Sequence, residues 1–334
     1  MINSNLNPDF LNDFLAYSST ILNKSPNTIR EYNYDIAHFL KFIKFKFKQT
    51  NIETEENIKE IPIDDINLTF IEKITLQDIH SFLAYLKTTY NSKPATLARK
   101  TASIRIFFKY LCNKTKKIST NPAQDLESPK LEKRLPKYLN LEQSKELLKT
   151  SATPSPSGHG NHDNSERNFA MITLLLNCGM RLSELVGINI SDIDFDNNKL
   201  NVIGKGNKER TIYLINACMK AINSYLAVRP HDGVKFNSRD ALFLSEQKKR
   251  ISKRPVQYVI KNELKLSGIE KYDKYSVHKL RHTAATLMYK YGNVDIRALQ
   301  ELLGHESIST TEIYTHVDNE QIRNAVESNP LANL

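Results

Sequence analysis

The chain has 334 residues, room for two domains, and its 40% hydrophobic and 25% charged content is that of an ordinary globular protein. A formal net charge of +10, with a basic excess in both halves, points to a polyanionic partner. No apolar run approaches the ~18 residues of a membrane span, and the first residues lack the basic and apolar regions of a secretion signal. Cys112, Cys178 and Cys218 are scattered without Cys-x-x-Cys spacing, which argues against a disulfide framework or a zinc knuckle. These features predict a reduced, cytoplasmic protein with no membrane association.

In chain order, Phe10, Leu11, Phe14 and Leu15 recur at helical spacing, and a second helix follows the start signal Ser25-Pro26-Asn27. Its stripe is Ile29, Tyr32, Ile36, Phe39 and Leu40; then Lys41, Lys44, Lys46 and Lys48 alternate with Phe42, Phe45 and Phe47. Residues 49–66 are polar and read as a loop. Thr75 is placed to cap a helix running to Tyr90, with Asp78 at the capping-box position. Pro94 opens a further helix with Leu97, Ile104, Phe108 and Leu111 inward and Arg99, Lys100, Arg105 and Lys109 on the other surface. Residues 1–120 therefore predict a small helical domain, and the proline-bearing segment 121–138 predicts a linker.

The second domain, 139–334, is expected to begin with a helix over 141–150 and a loop over 151–166. Residues 169–178 form a strongly apolar helix ending at Gly179. A hairpin follows, with strands 199–203 and 209–214 around the turn Gly204-Lys205-Gly206-Asn207-Lys208. The remainder reads as mainly helical. The fold class expected is mainly α with one small antiparallel β-sheet.

Several residues in this second half carry more than folding requires. Arg181 and Glu184 stand three apart, so the carboxylate can orient a neighbouring cation; alone, the pair reads as a surface ion pair. Lys205 sits between two glycines at the hairpin tip, where lysine is ordinarily solvated charge. His278 and Arg281 are again three apart. His278 and His282 have a spacing used by metal sites, but Lys279 and Arg281 between them would repel a cation, so no metal is expected. His305 and Tyr314 follow nine residues apart. A tyrosine hydroxyl, with an ordinary pKa of roughly 10, becomes a useful nucleophile at a phosphodiester when cations stabilise the developing charge.

The order and spacing of these blocks resemble the tyrosine recombinases, most closely those of the Xer type. The resemblance runs through Gly179-Met180-Arg181-Leu182-Ser183-Glu184-Leu185, Gly204-Lys205-Gly206, His278-Lys279-Leu280-Arg281-His282, Leu302-Leu303-Gly304-His305 and Thr311-Glu312-Ile313-Tyr314-Thr315-His316-Val317. Segments 25–28 and 99–110 resemble the family's core-binding domain, a helical SAM-like module. Lys279 and Ala285 stand where Xer proteins often carry Thr and Phe, and loop 151–166 is longer than many; neither departure touches a catalytic position.

The resemblance implies a site-specific recombinase that cleaves and rejoins duplex DNA through a 3′-phosphotyrosyl intermediate at Tyr314. Arg181 and Arg281 would clamp the phosphate, His305 would donate to it, Lys205 would protonate the leaving 5′-oxygen, and His278 would assist proton transfer at the tyrosine. Glu184 would support its cationic neighbours. Neither metal nor nucleotide cofactor is implied. Thr28, Arg99 and Arg105 are the implied DNA contacts of the first domain, and the tail 319–334 is the implied helix exchanged between protomers. The implied partners are paired inverted half-sites, a homotetramer or a heterotetramer with a paralogue, and a DNA translocase, in chromosome or plasmid dimer resolution. A mobile-element or phage integrase is the alternative reading. A type IB topoisomerase and a non-catalytic DNA-binding protein fit the residues less well.

Overall fold

The computed structural model describes residues 6–48, 50, 55–130, 137–153, 162–204, 209–292, 294–304 and 311. They fall in two compact units, Met1–Lys133 and Arg134–Leu334.

The first unit contains α1 (Asp9–Thr20), α2 (Pro26–Lys46), α3 (Leu68–Glu72), α4 (Leu76–Tyr90) and α5 (Pro94–Lys109), the last continued by a π-turn over Tyr110–Lys114. Local chemistry sets the boundaries. Ser25 accepts the Thr28 N–H, and Pro26 occupies the first helical position, where its missing donor does no harm. Thr75 Oγ1 accepts the Asp78 N–H while Asp78 Oδ2 accepts the Thr75 N–H, closing the expected capping box. The core is aromatic: Phe14, Phe39, Phe82, Phe107 and Phe108 are all fully buried, and Phe39–Phe82 and Phe107–Phe108 meet edge to face at 5.3 Å.

Three expectations change here. Segment 49–66 is not simply a loop: Glu55–Glu60 is a 3-10 helix, and Ile58, Ile61, Ile63 and Ile66 enter the core. Of the lysines that follow α2's stripe, Lys46 and Lys48 are exposed and two are paired. Lys44 is buried with its ammonium on Asp65 and the Pro62 carbonyl, and Lys46 pairs with Asp78 at 2.6 Å. Lys100 likewise turns inward, to the fully buried Asp35 at 2.9 Å. Ala123 and Leu126 also pack into this core, so the segment after 120 begins as part of the first unit.

The second unit contains α6 (Leu141–Ala152), α7 (His162–Cys178), α8 (Leu182–Gly187), β1 (Ile193–Asp194), β2 (Lys199–Ile203) and β3 (Glu209–Tyr213). It continues with α9 (Asn216–Val228), α10 (Lys253–Leu266), α11 (Val277–Tyr291) and α12 (Ile296–Leu303). Helix α7 starts seven residues before the apolar run that announces it. It forms the centre of the unit, with Ala170, Met171, Ile172, Leu174 and Leu175 fully buried. The sheet is antiparallel in the order β1-β2-β3. Its register pairs Lys199 with Tyr213 and Ile203 with Glu209, which fixes the two ends of the expected hairpin. Leu200, Val202 and Ile212 face the core by the strand's alternation.

Residues 229–252 depart from the helical expectation. They are held by isolated bridges Asn189–Ala241 and Leu244–Arg250 and by the buried Arg229, whose guanidinium donates to the carbonyls of Arg239 and Ala241 at 2.8 and 2.7 Å. Among the described residues no helix is long and apolar enough to cross a membrane.

Candidate active site

The site is built around the C-terminal end of α12. Asp295 caps the helix start by accepting the Arg297 N–H, and Leu299 and Leu303 pack against Ala285 of α11. The helix ends at Gly304, with φ at 62° in the left-handed region that glycine enters without strain. Carbonyls at such an end have no intrahelical partner and carry the negative pole of the helix dipole. Three guanidiniums satisfy three successive ones. Arg210 Nη1 donates to Leu302 O, Arg281 Nη2 to Leu303 O, and Arg181 Nη2 to Gly304 O at 2.6 Å.

The three arginines arrive from different elements. Arg281 lies in α11, is buried, and also donates through Nη1 to Gly179 O at 2.7 Å. Gly179 has φ at 57°, and a Cβ there would stand 3.0 Å from Leu303 Cδ2, so the turn after α7 needs glycine for both backbone and space. Arg181 is the N-cap of α8, and Glu184 accepts its backbone N–H at 2.7 Å. The short helix thus places Glu184 under Arg181 rather than beside it on a helix face, as the three-residue step suggests.

Glu184 joins two of the arginines. Its side chain is fully buried; Oε1 accepts Arg181 Nη1 at 2.8 Å and Oε2 accepts Arg210 Nη2 at 3.0 Å. Burial alone would raise its pKa, but the Arg181 N–H and the Arg210 and Arg181 guanidiniums outweigh it and hold the carboxyl below its ordinary range. Two guanidiniums pair with this carboxylate and the third, Arg281, bonds only backbone carbonyls, so three permanent cations face one anion and the cluster remains positive.

His278 stands one turn before Arg281 at the start of α11. Partial loss of hydration, then the charges of Arg281, Lys279 and Arg181, lower its pKa below 6.5. At neutral pH it is a neutral imidazole able to accept a proton. Its ring meets that of His282 edge to face at 4.5 Å.

The structure therefore brings Arg181, Glu184, His278 and Arg281 together. Lys205, His305 and Tyr314 lie outside the described residues. Arg210 is the residue that sequence reasoning missed. Its signal was available in the strand period: it shares the inward face of β3 with Ile212, an unusual place for an arginine. In the first unit, Thr28 Oγ1 lies 2.9 Å from Ser25 Oγ at the start of α2. Arg99 bridges Glu31 and Asp35, and Arg105 donates to Leu126 O and Ser128 Oγ.

Two family models match most of the chain. One described as the phage integrase family covers residues 137–321; one described as the phage integrase N-terminal SAM-like domain covers residues 10–118. Tyrosine recombinase XerC of Caldanaerobacter subterraneus subsp. tengcongensis is 52% identical over 97% of this chain and 88% of its own length. XerC of Herpetosiphon aurantiacus is 34% identical over 93% of this chain and 91% of its own. The fold is also that of the XerH site-specific recombinase solved in a pre-cleavage complex with its difH substrate. That match has a TM-score of 0.67 and 21% identity, covering 96% of this chain and 94% of that one.

Proposed function

The chain belongs to the phage integrase family as a site-specific tyrosine recombinase of the Xer type, and we propose that Tyr314 is the nucleophile with which it breaks and rejoins duplex DNA. One observation carries this assignment. Arg181 and Arg281 converge on the carbonyls of Leu303 and Gly304, immediately before His305 and ten residues before Tyr314. The guanidinium fork matches the paired non-bridging oxygens of a phosphate.

The roles follow from the chemistry of each group. The Tyr314 hydroxyl attacks phosphorus, the new P–O bond to tyrosine forms as the bond to the 5′-oxygen breaks, and the product is a 3′-phosphotyrosyl bond with a free 5′-hydroxyl. Arg181, Arg281 and His305 stabilise the charge that grows on the non-bridging oxygens. His278, neutral at pH 7, accepts the tyrosine proton. Lys205 delivers a proton to the departing 5′-oxygen. Glu184 holds Arg181. The covalent bond conserves the phosphodiester energy, so the 5′-hydroxyl of a partner strand reverses the step without a nucleotide. The four cations and donors, Arg181, Lys205, Arg281 and His305, supply what Mg²⁺ supplies in many nucleases.

The role that the resemblance implies is the resolution of chromosome or plasmid dimers, and the likeness to relatives named tyrosine recombinase XerC favours it. In this reading, four protomers, all of this chain or shared with a paralogue, act on paired inverted half-sites in the cytoplasm under a DNA translocase. Thr28, Arg99 and Arg105 contact DNA from the first unit, with Arg99 and Arg105 leaving their internal partners to do so. Residues 319–334 dock on a neighbouring protomer. Sequencing genomic DNA covalently trapped by the protein tests this role. A single chromosomal site near the replication terminus is expected; adducts at the ends of a mobile element would replace it with the integrase reading.

A further inference from the structure

We propose that Arg210 is a positioning residue for the recombination reaction, tying strand β3, the Glu184–Arg181 pair and the end of α12 into one unit. The proposal rests on the tyrosine recombinase reading of the site and adds a residue to it. Arg210 belongs to β3, the strand that begins four residues after Lys205 in the sequence. Its Nη2 reaches Glu184 Oε2 at 3.0 Å and its Nη1 reaches Leu302 O. Like Arg181, it bonds both the Glu184 carboxylate and the end of α12, but it reaches them from the sheet rather than from the turn after α7. It also packs against that helix end: a Cβ on Gly304 would stand 3.1 Å from Arg210 Cδ and 3.4 Å from its Nε.

Stability alone does not ask for arginine at this position. Its side chain is 14% exposed, and its Nε is buried without a hydrogen-bond partner among the described residues. An orphaned buried donor is unfavourable, and an apolar side chain on the same face as Ile212 would avoid it. What arginine supplies is geometry. Two Nη atoms held in one plane fix the distance between Glu184 and the Leu302 carbonyl. Lysine, with a single ammonium on a flexible stem, bonds both groups less rigidly. Because Glu184 also holds Arg181, a shift of Arg210 moves a catalytic guanidinium.

The test compares Arg210→Ala, Arg210→Lys and Arg181→Ala in the full chain. It uses single-turnover cleavage of a nicked suicide substrate, alongside half-site binding and thermal unfolding. Misplacing a clamp by about 1 Å slows chemistry by about 10²-fold. Arg210→Ala is expected to show a loss of that order at saturating DNA with the half-site Kd within about threefold, and Arg210→Lys a smaller loss. A second substrate carries a methylphosphonate at the scissile position, which removes the non-bridging negative charge that Arg181 meets. On it the gap between wild type and Arg210→Ala should shrink, as it should for Arg181→Ala. A structural defect would instead lower cleavage of both substrates in proportion to the folded fraction. Wild-type rates from Arg210→Ala, or an unchanged gap on the neutral substrate, would overturn the proposal. Absence of a covalent product from wild type as well would overturn the recombinase reading beneath it.

Discussion

Removing the Glu184 carboxylate should both destabilise the second unit and disorder its arginine cluster. The side chain is fully buried and accepts three donors, Arg181 N at 2.7 Å, Arg181 Nη1 at 2.8 Å and Arg210 Nη2 at 3.0 Å. Breaking a buried ion pair from one side leaves an uncompensated charge, at a loss of about 3–5 kcal/mol. Arg210 is 14% exposed and Arg181 28% exposed, so water relieves part of this. A loss of about 3 kcal/mol is therefore expected for Glu184→Ala by that scale. Glu184→Gln keeps one acceptor oxygen but turns an amide N–H₂ toward a guanidinium, and should lose about 2 kcal/mol on the same footing. Urea unfolding read at the second unit measures both. The sign with pH is also set. A carboxylate whose folded pKa is lowered contributes its stability above its unfolded pKa and loses it as pH falls through the folded one. The difference between wild type and Glu184→Gln should thus narrow in acid. A loss below about 1 kcal/mol for Glu184→Ala, the scale of an exposed pair, would refute the claim that this carboxylate organises the site.

Two further outcomes concern histidines. His38 is buried among Tyr34, Phe82, Tyr85 and Tyr90, with neither ring nitrogen hydrogen-bonded among the described residues, and burial followed by the charges of Lys100 and Lys59 lowers its pKa to about 4. The unfolded chain takes up this proton near pH 6.5 and the native one near 4, so native stability falls as pH drops between those values, by at most about 3 kcal/mol. His38→Phe should flatten that slope in pH-dependent unfolding, and an unchanged slope would place its origin elsewhere. For His278, the neutral imidazole is the active form, so cleavage at subsaturating DNA should stay level down to about pH 6.5 and fall below it. His278→Gln should be slower throughout and lack that acidic decline, while a decline centred above 6.5 would contradict the proton-acceptor role.

Local signals in the sequence carried a large part of the fold. The Ser25-Pro26 start, the Thr75/Asp78 capping box and the paired strands on either side of 204–208 are each decided by residues within a few positions of one another, and each appears where expected. What failed depended on distant partners. Lys100 looks like surface charge until Asp35 is brought beside it. Residues 229–252 are held together by one buried arginine bonding backbone carbonyls, a pattern with no period to read. In the site, Arg181, Glu184 and Arg281 were legible through the resemblance of their motifs. Arg210 was not, because it sits in a strand that appeared to do nothing but flank Lys205. Its importance arises from Glu184 and the α12 carbonyls, which only the tertiary fold places within its reach.

The most direct measurement of the central assignment is covalent trapping on a nicked duplex carrying the recombination site, followed by digestion and mass spectrometry of the nucleotide-linked peptide. Wild type should yield one adduct, on Tyr314 and joined to a 3′-phosphate, and Tyr314→Phe should bind the duplex with similar affinity yet yield none. An adduct from Tyr314→Phe, or one mapped to Tyr289 or Tyr291, would contradict the account.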